Sequence, residues 1–253
     1  RLTIRVKEAE PLRAIFATLH EGGHALYDQG FPPELRGTLL ADGPSVGLHE
    51  AQARLWENQV GRSLEFWAHY YPLLRDAFPS RLADLDVPAF HRAINVVTPG
   101  TSRMTADEAT YSLHILLRYE LEIALLEGGL TVPDLPAAWA ELSRKYLGVV
   151  PSSMRAGCLQ DVHWALGEFG YFPTYTIGNW YGAQLFEAYL KTATRPARSG
   201  AEGLAELRQW LSEKVYRRGA ELDAEDLILE ATGERLAVDA FFRLLERRFE
   251  EMR

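Results

Sequence analysis

Cysteine is nearly absent from this sequence. Cys158 stands alone, so no disulfide can close within the chain, and the composition fits a reducing compartment. Positive charge is also short: 27 Lys and Arg against 35 Asp and Glu leave a net charge of −8, which favours solubility and speaks against a nucleic-acid partner needing a basic face. Long apolar runs are missing as well. The longest uncharged stretch, Phe169 to Phe186, has 18 residues but is broken by Pro173, Asn179, two threonines and glycines, so no membrane span is expected. No signal peptide, repeat or low-complexity segment is visible. Strand signals are scarce: only "RLTIRV" at the start alternates Leu2, Ile4 and Val6 with polar residues, as a short half-exposed strand would.

What remains is ample apolar content, 47% over 253 residues, enough to bury the core of one large domain or two small ones. Helical periodicity runs over residues 11–29, 48–77, 88–95, 105–127, 134–146, 179–193, 201–217, 223–232 and 237–251. The expected fold is mainly α, with at most a small β element near the N-terminus. Turn clusters at "GFPPE", "ADGPSVG", "VTPGTS" and "TRPARSGAEG" are too short for domain linkers. Near the C-terminus Asp223 reads as an N-cap and Gly233 as a stop.

The first chemical signal is "HEGGH" inside the 11–29 helix. At roughly 100° per residue, His20 and His24 lie about 40° apart around the axis and one turn apart along it, so both rings can address one ion. Glu21 leans over that site without joining the pair. This is the H-E-x-x-H arrangement, in which two neutral imidazoles bind zinc and the glutamate takes a proton from the activated water. The bland alternative is a helix with incidental histidines. Gly22 and Gly23 each cost about 1 kcal/mol against alanine in a helix interior, so they imply close approach of a facing segment or a substrate, or tight helix packing. A third ligand is offered by "HEAQ": Glu50, with 25 residues between it and His24, opens the next helical pattern. Its neighbour His49 reads as an outer or solvated group.

Three later stretches look overspecified for packing. Arg103 in "SRMTAD" is either a surface residue or a fork for a carboxylate, while Arg118 and Glu120 read as a pair on a helix surface. In "GCLQDVHW", Asp161 and His163 are a surface pair, a satisfied buried group, or an oxyanion donor oriented by its aspartate. Tyr171, Tyr175 and Tyr181 among glycines suit a pocket wall, a flexible gate or an aromatic core cluster. His69, His91 and His114 receive no task.

Taken in order, "HEGGH", "HEAQ", "SRMTAD" and "GCLQDVHW" match H-E-x-x-H, H-E-S-Q, I/V-R-x-x-A-D and G-x-x-Q-D-x-H-W, and the likeness runs over essentially the whole chain. The sequence resembles the C-terminal half of the M32 (Taq-type) metallocarboxypeptidases, with Ala51 in place of the family's serine and Ser102 where an apolar residue is usual. The resemblance implies a helical cleft enzyme, residues 1–253 forming its catalytic domain, that removes C-terminal residues from peptides with zinc or cobalt, as a cytoplasmic homodimer. By motif position His20, His24 and Glu50 would be metal ligands and Glu21 the general base. Arg103 would hold the substrate's terminal carboxylate, His163 would contact the scissile carbonyl region, and the Tyr171–Tyr175 loop would close the pocket. Family members are longer, with an upstream helical half, and "RLTIR" looks like the tail of the family's D-x-R-x-T, so the chain is expected to be a fragment or a truncated relative. The alternatives are an endopeptidase using the same metal, an inactive metal-binding subunit, and a helical interaction module without metal.

Overall fold

The computed structural model describes residues 1–193 and 200–253. Among the described residues there are eleven α-helices: α1 (Pro11–Gly30), α2 (Val46–Arg54), α3 (Leu64–Ala77), α4 (Pro79–Leu82), α5 (Val87–Ile94), α6 (Glu108–Leu126), α7 (Leu135–Leu147), α8 (Pro173–Thr192), α9 (Gly200–Lys214), α10 (Ala224–Thr232) and α11 (Asp239–Glu251). No strand occurs among them. The period-two pattern of "RLTIRV" therefore ends in an irregular segment, because alternation marks a two-faced strand but does not provide a neighbour to pair with. Six residues of the expected turn at "TRPARSGAEG", 194–199, lie outside the described residues. The described residues divide into two compact units, Arg1–Ile94 with Ile177–Arg253, and Asn95–Thr176.

The first unit is built on α1 and α2. Pro11 sits in the first turn of α1, where its missing N–H costs nothing, and Phe16 and Tyr27 bury the apolar stripe. Ser45 caps α2 by accepting from Leu48 N at 3.1 Å. The pattern over 48–77 is not one helix: α2 runs into a π-helical turn, Leu55–Val60, and Ser63 then caps α3 afresh. α2 is enclosed on several sides, with Leu48, Ala51 and Ala53 fully buried. What permits this is glycine on its neighbours. A Cβ at Gly23 of α1 would stand 2.6 Å from Gln52 O, and one at Gly182 of α8 would stand 2.9 Å from Ala51 O. Glycine's helix penalty is outweighed by backbone-to-backbone approach.

The same approach explains a boundary that periodicity places too late. α8 starts at Pro173, six residues before the expected 179, and Gly178 and Gly182 lie in its interior, where α2 crowds it, rather than in a loop. Tyr181 on this helix belongs to the unit's core.

In the second unit, Asp107 caps α6 by accepting from Thr110 N at 2.8 Å. Leu117 and Leu121 of α6 pack with Leu135 and Trp139; each buried leucine contributes about 1.5–3 kcal/mol. A second cluster joins Tyr111, Ile115 and Phe172.

Candidate functional site

In the first unit, one turn of α1 and the middle of α2 bring His20, His24 and Glu50 together, with one ligand-type atom from each lying within 4.8 Å of the others. His20 Nε2 is 3.8 Å and His24 Nε2 3.7 Å from Glu50 Oε2. These separations exceed a hydrogen bond. Tetrahedral zinc bonds of about 2.0–2.2 Å set ligand atoms roughly 3.3–3.5 Å apart, so two imidazoles and a carboxylate at this spacing fit a divalent ion by donor chemistry and by distance.

Each of the three candidate ligands also has its far atom held. His20 Nδ1 is 2.9 Å from Glu57 Oε2. His24 Nδ1 is 2.8 Å from His49 Nδ1. Glu50 Oε1 accepts from Arg54 Nε at 2.7 Å, and Arg54 Nη1 donates to Glu57 Oε2 at 3.2 Å. Outer partners of this kind fix which ring nitrogen faces an ion. The π-helical turn carries Glu57, and such turns recur at functional sites.

The electrostatics suit a cation. Burial pushes the His24 imidazole down to about 4, with the neighbouring His20 adding to the effect, so its ring is neutral near pH 7. Burial also pushes His20 down, but its hydrogen bond to Glu57 and the charges of Glu50 and Glu57 outweigh this and hold it above its usual value. Burial pushes Glu57 up, yet Arg54 and then His20 bring it down to about 2. Two carboxylates against one guanidinium leave the cluster negative, a field that attracts a proton or a metal alike. Glu21, on the same turn of α1, is half-buried. Beside it Gly22 is open: a Cβ there would meet no atom within 4 Å. The two glycines thus differ, Gly23 admitting α2 and Gly22 leaving the helix surface clear.

The second unit collects the remaining expected residues. Asp161 lies between two guanidinia: Oδ1 accepts from Arg103 Nε at 3.1 Å and Nη2 at 2.9 Å, and Oδ2 accepts from Arg118 Nε at 2.8 Å and Nη2 at 2.6 Å. Arg118 is fully buried, not paired with Glu120 on a surface, and Asp161 serves the two arginines, not His163. Burial pushes the Asp161 carboxyl up, but Arg118 and Arg103 hold it below the usual range. Arg103 also donates to Tyr111 OH at 3.0 Å and lies over the Tyr175 ring at 4.6 Å. His163 Nε2 is 3.0 Å from Tyr175 OH, its ring packs at a tilt against Phe172 and Tyr171, and burial followed by Arg103 lowers its pKa.

Neighbouring motif residues hold this cluster. Gln160 accepts from Arg103 N at 3.1 Å and donates to Thr101 O at 3.0 Å. Glu122, buried, accepts from Trp164 Nε1 at 2.7 Å and Gly170 N at 3.2 Å, anchoring the segment before Tyr171.

Sequence reasoning missed Arg54, Glu57, Asp28 and Glu122. Glu57 had a signal, since a residue seven after Glu50 returns to the same helical face.

Residues 1–249 match the family described as Carboxypeptidase Taq (M32) metallopeptidase, and the chain belongs to that family. It is 45% identical over 250 residues to Thermostable carboxypeptidase 1 of Thermus thermophilus, covering 98% of this chain and 49% of that protein. Against Carboxypeptidase 1 of Bacillus subtilis it is 41% identical, covering 100% of this chain and 50% of the relative. The crystal structure of an M32 carboxypeptidase from Deinococcus radiodurans R1 superposes with a TM-score of 0.95 at 43% identity, over 100% of this chain and 51% of that one. The chain spans about half the length of the curated relatives it matches.

Proposed function

We propose that residues 1–253 form the catalytic domain of a metal-dependent carboxypeptidase, with His20, His24 and Glu50 holding a divalent ion, zinc or cobalt. The observation that carries this reading is the convergence of two imidazole Nε2 atoms on Glu50 Oε2, 3.8 and 3.7 Å away, with each ligand's far atom already engaged. A zinc-type ion, when bound, supplies Lewis-acid polarisation of water and of the scissile carbonyl. Glu21 acts as general base, accepting a proton from the attacking water and passing it to the leaving amine.

Arg103 is the proposed holder of the substrate's terminal carboxylate. Two buried guanidinia against the single Asp161 carboxylate leave a positive surplus, and Tyr111 and Asp161 fix the Arg103 plane. His163 is proposed to donate to the developing oxyanion, and Tyr171 and Tyr175, packed around its ring, to wall the substrate off from water. The substrate class is peptides with a free C-terminus. A cytoplasmic homodimer is part of the same proposal and rests on the sequence resemblance alone. No described helix is long and apolar enough to cross a membrane.

The experiment combines metal analysis with release of the C-terminal residue from an N-blocked dipeptide and from its amidated form, on the chain and on Glu21→Gln. Stoichiometric metal in both proteins, release from the free form alone, and a loss of at least about a hundredfold in Glu21→Gln are expected. Equal cleavage of the amidated peptide means an endopeptidase, and equal rates in both proteins remove Glu21 from the reaction.

A further inference from the structure

The two histidines of the H-E-x-x-H pair are held differently. His20 faces the Glu57 carboxylate directly. His24 faces a second imidazole, with His49 Nδ1 2.8 Å from His24 Nδ1 and the ring centroids 4.6 Å apart. On its other side His49 Nε2 lies 3.0 Å from Asp28 Oδ1. Asp28 stands one helical turn beyond His24 on α1, so His49 reaches across from α2 to bridge two positions on one face.

The contacts on either side of His49 bear on where the protons sit. An ionised carboxylate is an acceptor only, so the Nε2 atom of His49 carries a hydrogen and donates it to Asp28. With its ring proton committed to Nε2 by the Asp28 contact, His49 keeps a lone pair on Nδ1, and the proton between the two Nδ1 atoms is assigned to His24. The reverse assignment would set a His49 lone pair against the Asp28 carboxylate at 3.0 Å. With its proton on Nδ1, His24 presents the Nε2 lone pair toward Glu50 Oε2. A neutral acceptor also suits this side, because Glu50 and Glu57 already supply two negative charges, and the third, Asp28, is displaced one residue outward to a largely exposed position.

We infer that His49, anchored by Asp28, is a positioning residue of the metal centre that commits His24 to the tautomer able to ligate through Nε2. The inference rests on the proposed metal site, but the proton assignment is a property of the chain itself and is measured without metal.

The test uses His49→Phe, which keeps a ring but removes the acceptor, His49→Asn, whose Oδ1 restores an acceptor near the Nδ1 position, and Asp28→Ala, a truncation at an exposed site that spares the core. In the metal-free chain, long-range proton–nitrogen correlation spectra of labelled histidine report the His24 tautomer. Nδ1–H is expected in the native chain and in His49→Asn, with a shift to Nε2–H or a mixture in His49→Phe and, in part, in Asp28→Ala. In the loaded chain, zinc release to a chelator should quicken about 10- to 100-fold in His49→Phe and recover toward native in His49→Asn. The Co2+ visible spectrum should change in the same order. A native chain with His24 as Nε2–H, or a His49→Phe chain with native tautomer and native release, overturns the inference. If His49→Phe fails to fold, Asp28→Ala alone decides it by the same two readouts. A native chain that takes up neither zinc nor Co2+ overturns the proposed function instead, and the tautomer spectra still decide this point.

Discussion

Gly178 of α8 lies against the side chain of Glu50: a Cβ at Gly178 would stand 2.6 Å from Glu50 Cγ and 2.8 Å from Glu50 Cβ. Those are the inner carbons of the proposed ligand, so relief cannot come from a flexible tip and the carboxylate itself must move. Gly178→Ala is therefore expected to lower zinc affinity about tenfold, on the scale of losing an outer partner of a ligand. Fold stability should change less, because overpacking of about 1–3 kcal/mol is offset by about 1 kcal/mol of recovered helix propensity. Gly22→Ala is the control. With no atom within 4 Å of its Cβ, it should stabilise the metal-free chain by up to about 1 kcal/mol and leave zinc binding unchanged. Chelator competition and urea unfolding read the two effects; native zinc affinity in Gly178→Ala would free Glu50 from this constraint.

Asp161 carries more than one partner's weight. Arg118 is fully buried, Arg103 nearly so, and both bond the same carboxylate. Asp161→Asn leaves two guanidinia facing a neutral amide, and stranding a buried charge costs about 3–5 kcal/mol. The expected result is faster amide hydrogen exchange across residues 95–176, with smaller changes in α1 and α2, and partial recovery in added chloride or phosphate. In the native protein the Asp161 contribution is present above the carboxyl's unfolded pKa and fades as acid lowers the pH through its depressed folded value. Unchanged exchange would mean that the arginines find other acceptors.

Much of this was legible in the chain. The start of α1 at Pro11, the four-residue histidine spacing and the position of Glu50 follow from helical geometry and the needs of a divalent ion. The Gly233 stop appears as written, with a left-handed φ of 87°. What escaped depends on tertiary neighbours. Gly178 and Gly182 lower helix propensity, and only the proximity of α2 explains why α8 runs through them. The π-helical turn that carries Glu57 has no local signature, and Arg118 reads as a surface residue until a partner 43 positions away meets it. Local periodicity reports which face is apolar. It is silent on which polar group a distant loop will deliver to that face.

His114 gives the pH prediction. Its ring is buried, Nε2 has no hydrogen-bond partner among the described residues, and burial, with the charges of Arg118 and Arg103, pushes it from 6.5 down to about 4, against smaller opposing pulls from Asp107 and Asp161. The folded pKa lies below the unfolded one, so between these values the unfolded chain binds the proton more readily. Stability is therefore complete above about 6.5 and is lost as pH falls toward about 4. From pH 7 to pH 5 the loss through this one ring is about 2 kcal/mol. Carboxylates such as Asp161 fail in a more acidic window, which separates the two effects. His114→Leu removes the titrating ring while keeping the site apolar, so its urea midpoint should fall less between pH 7 and pH 5 than that of the native chain, by the equivalent of about 2 kcal/mol. An identical pH dependence in both proteins would place the acid sensitivity of the second unit in some other group.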